Sequence, residues 1–511
     1  MFSSDRAKFL FGSPIFSSLW FLLFSIVRIV IEIRLKEPFL YAEISTVAHF
    51  LSFYLLCYVV TAIIIFYGRN KGLYDALAWA NVAFIILPFP PLIDYVVYVE
   101  PQIYSYAPQE HFLGNLLTVF SLYGDASWGQ RILGIYVSFI IGLSVFLSHK
   151  NIIRAFIALL ANYLYTSFVS VEWIRPLLPS GSTNVPEAIY ISDSVINQGF
   201  TIYYVLIAHI LLFTIWLFSH RNALPSLIAS LRPIRSVHWV LVGWLGVALS
   251  PSPLPWELVI SHLIVITFSC LLGWWFIALV NDYNDIAIDK LSNQNRLFVQ
   301  MPQLINEREA WFCWLAITST LTALSLGLVP FILMLCYLFG GIVYSVPPPL
   351  KLPKPRRYTI SSSSIGAGSA LFYIMGSMAS VPLDGIAFKD LNWYVLFAIT
   401  IGFGMAGYIK DEKDSFADKQ AGIATLFTKL PYNQARKITG LLLFGGWCIL
   451  LTISLNLYTF IVGSLCAIVA ISLYSKQNNP LIQISLFQVF LAALIISGLL
   501  NKEVISDYII W

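Results

Sequence analysis

The sequence predicts an all-α, polytopic membrane protein of about fifteen transmembrane helices, and three observations carry that prediction. Apolar stretches of roughly 20 residues recur from end to end, the length an α-helix needs to cross a hydrocarbon core of about 30 Å. The composition, 58% hydrophobic and 11% charged with a mean hydropathy of +0.78, excludes the soluble globular class. The apolar runs are continuous rather than alternating, so helices and not a closed barrel satisfy the backbone in lipid.

The first span follows MFSSDRAKFLFGSP. It lacks a small-residue cleavage site and is long for a signal-peptide core, so it reads as retained. About six spans precede residue 222 and define an N-terminal membrane domain, residues 1–222. Arg28 and Glu32 stand four apart in its first span, His49 and His209 lie within spans, and Asp94 follows Pro88, Pro90 and Pro91. An ionisable pair in a span is a functional candidate or a structural ion pair, and for the histidines a hydrogen-bonded interhelical role is the preferred reading. The span pattern of this half resembles the six-helix HTTM domains, without a diagnostic motif.

HRNALPSLIASLRPIRS is short, basic and proline-containing, and residues 223–236 read as a linker. Beyond it about nine spans fall near 237–251, 255–280, 308–326, 329–345, 360–381, 391–410, 435–453, 457–474 and 481–499, forming a C-terminal domain over residues 237–511. The six cysteines sit in or beside apolar spans without CxxC spacing and suggest neither disulfides nor a zinc site. A net charge of +4 is too small to imply a nucleic-acid partner.

The basic residues report orientation instead. With the N-terminus inside, only Arg28, Arg34, Lys36, Arg131, Arg175, Lys389 and Lys502 of the 30 Lys and Arg fall on outer or embedded positions. The loops after residue 280, around residues 351–357 and after residue 410 then face the cytoplasm, in an inner membrane.

Two of those loops are acidic. NDYNDIAID holds Asp282, Asp285 and Asp289, and DEKDSFAD holds Asp411, Glu412, Asp414 and Asp418. Gathering like charges at a membrane boundary is costly, so something positive should compensate. Asn281, Asp285 and Asp289 are four apart and line one helix face, with Asp282 on the neighbouring edge. Asp411, Asp414 and Asp418 follow i, i+3, i+7, again one face. Stacked carboxylates suit a hard divalent cation, and Mg2+ binds through one or two of them while leaving room for phosphate and water. Two such faces across a cavity suit two ions around one diphosphate. A solvated helix end with Lys290, Lys413 or Lys419 as partners accounts for one motif alone but poorly for both.

Between the motifs lies YSVPPPLKLPKPRR, whose prolines end a helix and whose Lys351, Lys354, Arg356 and Arg357 follow. Such a cluster is commonly a positive-inside anchor. On the same side as both acidic faces it becomes a candidate diphosphate clamp, as does Arg296.

These residues carry a family resemblance. NDYNDIAIDKLSNQNR resembles the NDxxDxxxD signature of the UbiA superfamily of intramembrane prenyltransferases, YSVPP its YSxPP loop, and KDEKDSFADKQAGIATL its second aspartate motif. Order, spacing and sidedness agree over roughly residues 237–511. Where the family continues the first motif as NRPL, this chain has Asn295, Arg296, Leu297 and Phe298. The resemblance implies a nine-helix bundle with a central cavity open to lipid, a prenyl diphosphate donor and Mg2+. With the spacing it assigns metal binding to Asn281, Asp282, Asp285, Asp289, Asp411, Asp414 and Asp418, with Asp285, Asp414 and Asp418 as catalytic residues and Tyr344 of the YSxPP loop at the donor, while charge and sidedness add Arg296, Lys351, Lys354 and Arg356 as donor-binding candidates. The expected function is transfer of a polyprenyl group to a lipophilic or membrane-associated acceptor, whose identity no residue decides. Cyclisation of the prenyl chain at the same site, or a non-enzymatic transporter or scaffold, are the alternatives.

Overall fold

The computed structural model describes residues 12–35, 44–98, 127–169, 171, 173, 186–250, 256–345, 357–379, 391–420, 422–476 and 479–502. Regular structure among them is helical, without strands. The chain divides into two compact units, one ending at Thr214 and the other beginning at Ile215.

The first unit contains α1 (Pro14–Leu35), α2 (Ile44–Arg69), α3 (Leu73–Phe84), α4 (Pro90–Tyr98), α5 (Trp128–His149), α6 (Ile152–Val169) and most of α7 (Pro186–His220). Several of its buried polar side chains are matched to partners, as burial among apolar groups favours. Arg28 donates through Nε to Glu32 at 3.1 Å and through Nη1 to the Leu87 carbonyl at 3.1 Å, so the pair is an intrahelical salt bridge tied to the next segment. His49 Nδ1 lies 3.0 Å from Asn197 Oδ1, and its ring stacks on Phe50 and Phe200. Asp94 accepts from Ser127 Oγ at 2.7 Å and from the Gly129 amide at 2.6 Å, capping the start of α5.

The second unit opens with the end of α7 and α8 (Leu224–Leu231), followed by α9 (Pro233–Ala248), α10 (Trp256–Asn284), the short α11 (Ile286–Ser292) and α12 (Leu297–Gln300), and α13 (Arg308–Ser325). Next come α14 (Leu328–Ser345), α15 (Arg357–Ser377), α16 (Trp393–Ala406), α17 (Lys410–Gln420), α18 (Leu426–Lys429), α19 (Tyr432–Leu451), α20 (Leu457–Lys476) and α21 (Pro480–Leu500). Among the described residues nine of these, α9, α10, α13 to α16 and α19 to α21, are long helices that pack together where the sequence predicts spans.

Ten helices among the described residues are long and apolar enough to cross a membrane, fewer than the about fifteen that hydropathy predicts. The shortfall has visible causes. α9 has only 16 residues, and α13 opens on Arg308 and Glu309 and carries Thr318, Ser319, Thr320 and Thr322.

Residues 223–236, read from the sequence as a linker, carry α8 and the start of α9, separated by Arg232. α8 ends at Arg232 in the left-handed conformation, φ 53°, and Pro233 starts α9 at its first turn, where a missing N–H costs nothing. α9 and α15 pack with their backbones close. A Cβ on Gly246 would strike the Tyr373 carbonyl and one on Gly376 the Gly243 carbonyl, the small-residue contact by which helices approach in lipid. That contact sets two walls of the cavity described next.

Candidate active site

α10 is the longest helix of the second unit, 29 residues, and it carries the first acidic motif out of the apolar layer. It breaks for one residue at Asp285, φ −102°, before α11 resumes. The amide of Asp285 still bonds the Asn281 carbonyl at 2.9 Å and that of Asp289 the Asp285 carbonyl at 2.8 Å, so the four-residue register survives the break. The second motif enters differently: α16 tightens into a 3-10 turn, Gly407–Ile409, and α17 begins with Asp411 in its first turn.

Both motifs open onto one cavity of about 410 Å3 in the second unit. Its polar end is lined by Asn281, Asp285 and Asp289 from the first motif and by Asp411, Asp414 and Asp418 from the second. Arg232, Arg235, Arg296, Lys410 and Lys413 share that end, with Tyr344 beside them. Lys410 Nζ sits 5.7 Å from the centre of the Tyr344 ring. Further in, the walls are apolar and aromatic: His238 and Trp239 on α9, Trp274 on α10, Tyr337 on α14, Leu371 on α15, Phe403 on α16 and Phe487 on α21. Trp239 packs against Trp274 at 5.4 Å and Tyr337 at 6.0 Å between ring centres, which closes that wall.

The two motifs are joined through Asn293. Lys413 Nζ on α17 donates to Asn293 Oδ1 at 2.9 Å, and Asn293 Nδ2 donates to Asp289 Oδ1 at 3.1 Å. On its outer side α17 is held by Glu412, which accepts from the Tyr432 hydroxyl at 2.6 Å and lies 3.7 Å from Arg436 Nε.

Asp282 is placed apart from the other six acidic-motif residues assigned to metal binding. It is fully buried, lies outside the cavity lining, accepts a hydrogen bond from Arg232, and has Arg296 Nε at 3.8 Å from its second oxygen. Arg296 also donates to the Ala229 carbonyl of α8, and the Leu297 amide donates to Ser230 Oγ at 2.9 Å. The basic segment before α9 is thereby built into the site. Lys351, Lys354 and Arg356 lie outside the described residues.

Arg232 and Arg235 escape sequence reasoning because a basic run at a span boundary reads as a topology signal. One clue was present: Arg232, Arg235 and Trp239 recur at helical spacing.

Asp289 Oδ2, Asp411 Oδ2 and Asp414 Oδ1 are buried with no hydrogen-bond partner, a costly arrangement unless a cation meets them. Burial, then the neighbouring Asp282 carboxylate, pushes the Asp289 carboxyl up to about 6. Burial, then Arg232, lowers the Arg296 guanidinium from its ordinary value, which marks a cationic patch that an anion would relieve. Among the described residues no three Asp, Glu, His or Cys side chains converge tightly enough to hold an ion unaided.

A model of the UbiA prenyltransferase family matches residues 237–494. Among solved structures the chain is similar to a UbiA homologue from Archaeoglobus fulgidus bound to GPP and Mg2+, with 18% identity over 53% of this chain and 98% of that one and a TM-score of 0.40. A digeranylgeranylglyceryl phosphate synthase is matched at 17% identity over 54% and 99% of the two chains, TM-score 0.38. An apo UbiA homologue from Aeropyrum pernix K1 is matched at 14% identity over 52% and 97%, TM-score 0.39. No curated protein matches.

Proposed function

Because the chain belongs to the UbiA prenyltransferase family, we propose that this integral membrane protein transfers a polyprenyl group from an allylic diphosphate to a lipophilic or membrane-associated acceptor. The observation that carries the reading is the polarity of one cavity, acidic and basic at one end and aromatic at the other. An amphiphile with a diphosphate head and an isoprenoid tail has that polarity.

Asn281, Asp285 and Asp289 on one side and Asp411, Asp414 and Asp418 on the other are the residues that would hold Mg2+. When bound, the metal supplies positive charge that neutralises a leaving diphosphate. Arg232, Arg235 and Arg296 offer planar guanidinium groups to the phosphate oxygens, and Lys410 adds a point charge. Trp239, Trp274, Tyr337 and Phe403 enclose the tail, exclude water from the allylic carbon and offer π systems to developing positive charge. The allylic C–O bond breaks with its electron pair leaving on the diphosphate. The acceptor atom bonds the allylic carbon, and the proton it loses passes to the released diphosphate. The bias of Lys and Arg along the chain supports a site facing the cytoplasm.

The purified full-length chain, given Mg2+, labelled geranylgeranyl diphosphate and a lipid extract as acceptor source, should release diphosphate and yield a prenylated lipid. A chelator should stop both. Release that persists unchanged in the chelator, or no release from donors of any length, would sink the reading.

A further inference from the structure

Four glycines line the cavity, Gly340, Gly341, Gly368 and Gly407, and packing accounts for Gly341 and Gly368. Gly341 on α14 faces α10, where a Cβ would run into the Ile277 side chain. Gly368 on α15 lies under the aromatic wall, where a Cβ would come within 3.0 Å of the Trp239 ring and 3.3 Å of Tyr337. Both must be small for the helices to close. Gly340 differs: it is exposed, it lines the cavity, and a Cβ there would meet no atom within 4 Å.

Glycine inside a helix is disfavoured relative to alanine, so a glycine that no neighbour requires leaves its space empty for another reason. Cys336, Gly340 and Tyr344 are four apart on α14 and all line the cavity, so they form one stripe about 12 Å long. The stripe starts at Tyr344, beside the basic and acidic groups, and runs toward the aromatic wall at Tyr337. Gly340 is its midpoint.

We propose that Gly340 is a specificity-determining residue: its missing side chain keeps open the groove along α14 through which the donor's tail passes, and so sets how long a chain is accepted. The inference rests on the reading of the ligand as a prenyl diphosphate. A single isoprene unit anchored at the Tyr344 end stops short of Gly340, whereas each further unit runs past it. A side chain at this position therefore leaves the head group's contacts intact and collides with the tail.

The test uses the full-length protein, Mg2+ and the non-reactive thiolodiphosphate analogues of the dimethylallyl, geranyl, farnesyl and geranylgeranyl donors, so that no acceptor is needed. For each protein the readout is the ratio of the dimethylallyl to the geranylgeranyl dissociation constant. That ratio is internal to a sample and is insensitive to a fraction of misfolded protein. Wild type should bind the longer analogues more tightly as more apolar surface is buried. In Gly340→Leu the ratio should fall about tenfold or more, and in Gly340→Ala by an intermediate amount.

A Gly340→Leu ratio equal to wild type, or an equal loss for every analogue in both variants, overturns the assignment. Wild-type affinity that does not depend on length also overturns it. Wild type that binds none of the four in Mg2+ refutes the prenyl diphosphate reading itself, an outcome distinct from the others.

Discussion

Asp414→Asn and Asp289→Asn are each expected to lower Mg2+-dependent diphosphate release by more than about 100-fold, the usual scale for losing one preorganised charge contact to a reacting group. Asparagine keeps the shape of aspartate and removes the charge. Asp414 Oδ1 and Asp289 Oδ2 are buried and lack hydrogen-bond partners, so an amide there neither repairs nor breaks a protein contact at those atoms. What it removes is the attraction for a cation, and with it the charge that offsets a departing diphosphate. Release at an undiminished rate in both variants would refute the metal assignment.

Asp289 adds a second readout with the opposite sign. Burial raises its carboxyl from the ordinary 3.8 to about 6, so between those values the folded protein in a chelator holds a proton that the unfolded chain has released. A carboxyl raised on folding contributes stability below about 4 that is lost as pH rises through about 6. Without metal, wild-type thermal stability should therefore fall across that window while Asp289→Asn stays flatter, and only wild type should recover when Mg2+ is added. A variant less stable than wild type at pH 7 in the chelator would count against an unpaired charge at Asp289.

The sequence yields this much because two periodicities are strong in it. Apolar runs of membrane-spanning length place nine helices of the second unit among the described residues, down to a helix over residues 308–325 expected over 308–326. Four-residue spacing puts Asn281, Asp285 and Asp289 on one face even though the helix breaks at Asp285, because hydrogen bonds on both sides of the break keep the register. Spacing does not say which edge of a face turns inward. Asp282 is one residue from Asn281 and three from Asp285, and it is turned out of the cavity by an arginine fifty residues earlier in the chain. Nor does charge patterning separate a membrane anchor from a ligand: Arg232 and Arg235 read as the former and line the cavity.

Asp282→Asn is expected to be the most destabilising substitution in the site and to differ from Asp289→Asn in kind. Asp282 is fully buried, and the Arg232 and Arg296 side chains it pairs with are only 15% and 12% exposed. Removing one member of a buried ion pair leaves the other uncompensated, at a cost of about 3–5 kcal/mol. The same change frees two guanidinium groups at the polar end of the cavity. Thermal unfolding should therefore drop sharply, and affinity for a thiolodiphosphate donor should weaken while the stabilisation produced by Mg2+ alone persists. If Asp282 instead coordinated metal, the Asp282 and Asp289 variants would both lose the Mg2+ response, and neither would be strongly unstable without it. The double variant Asp282→Leu with Arg232→Met separates the two roles further. Apolar groups of similar volume often replace a buried ion pair without loss of stability, so unfolding should return toward wild type. Donor affinity should not, because one phosphate-facing guanidinium is gone and Arg296 has lost the carboxylate that orients it. Recovery of both properties would leave Asp282 with no positioning role, and recovery of neither would show that the contact is needed for the fold of α8, α9 and α10 alone.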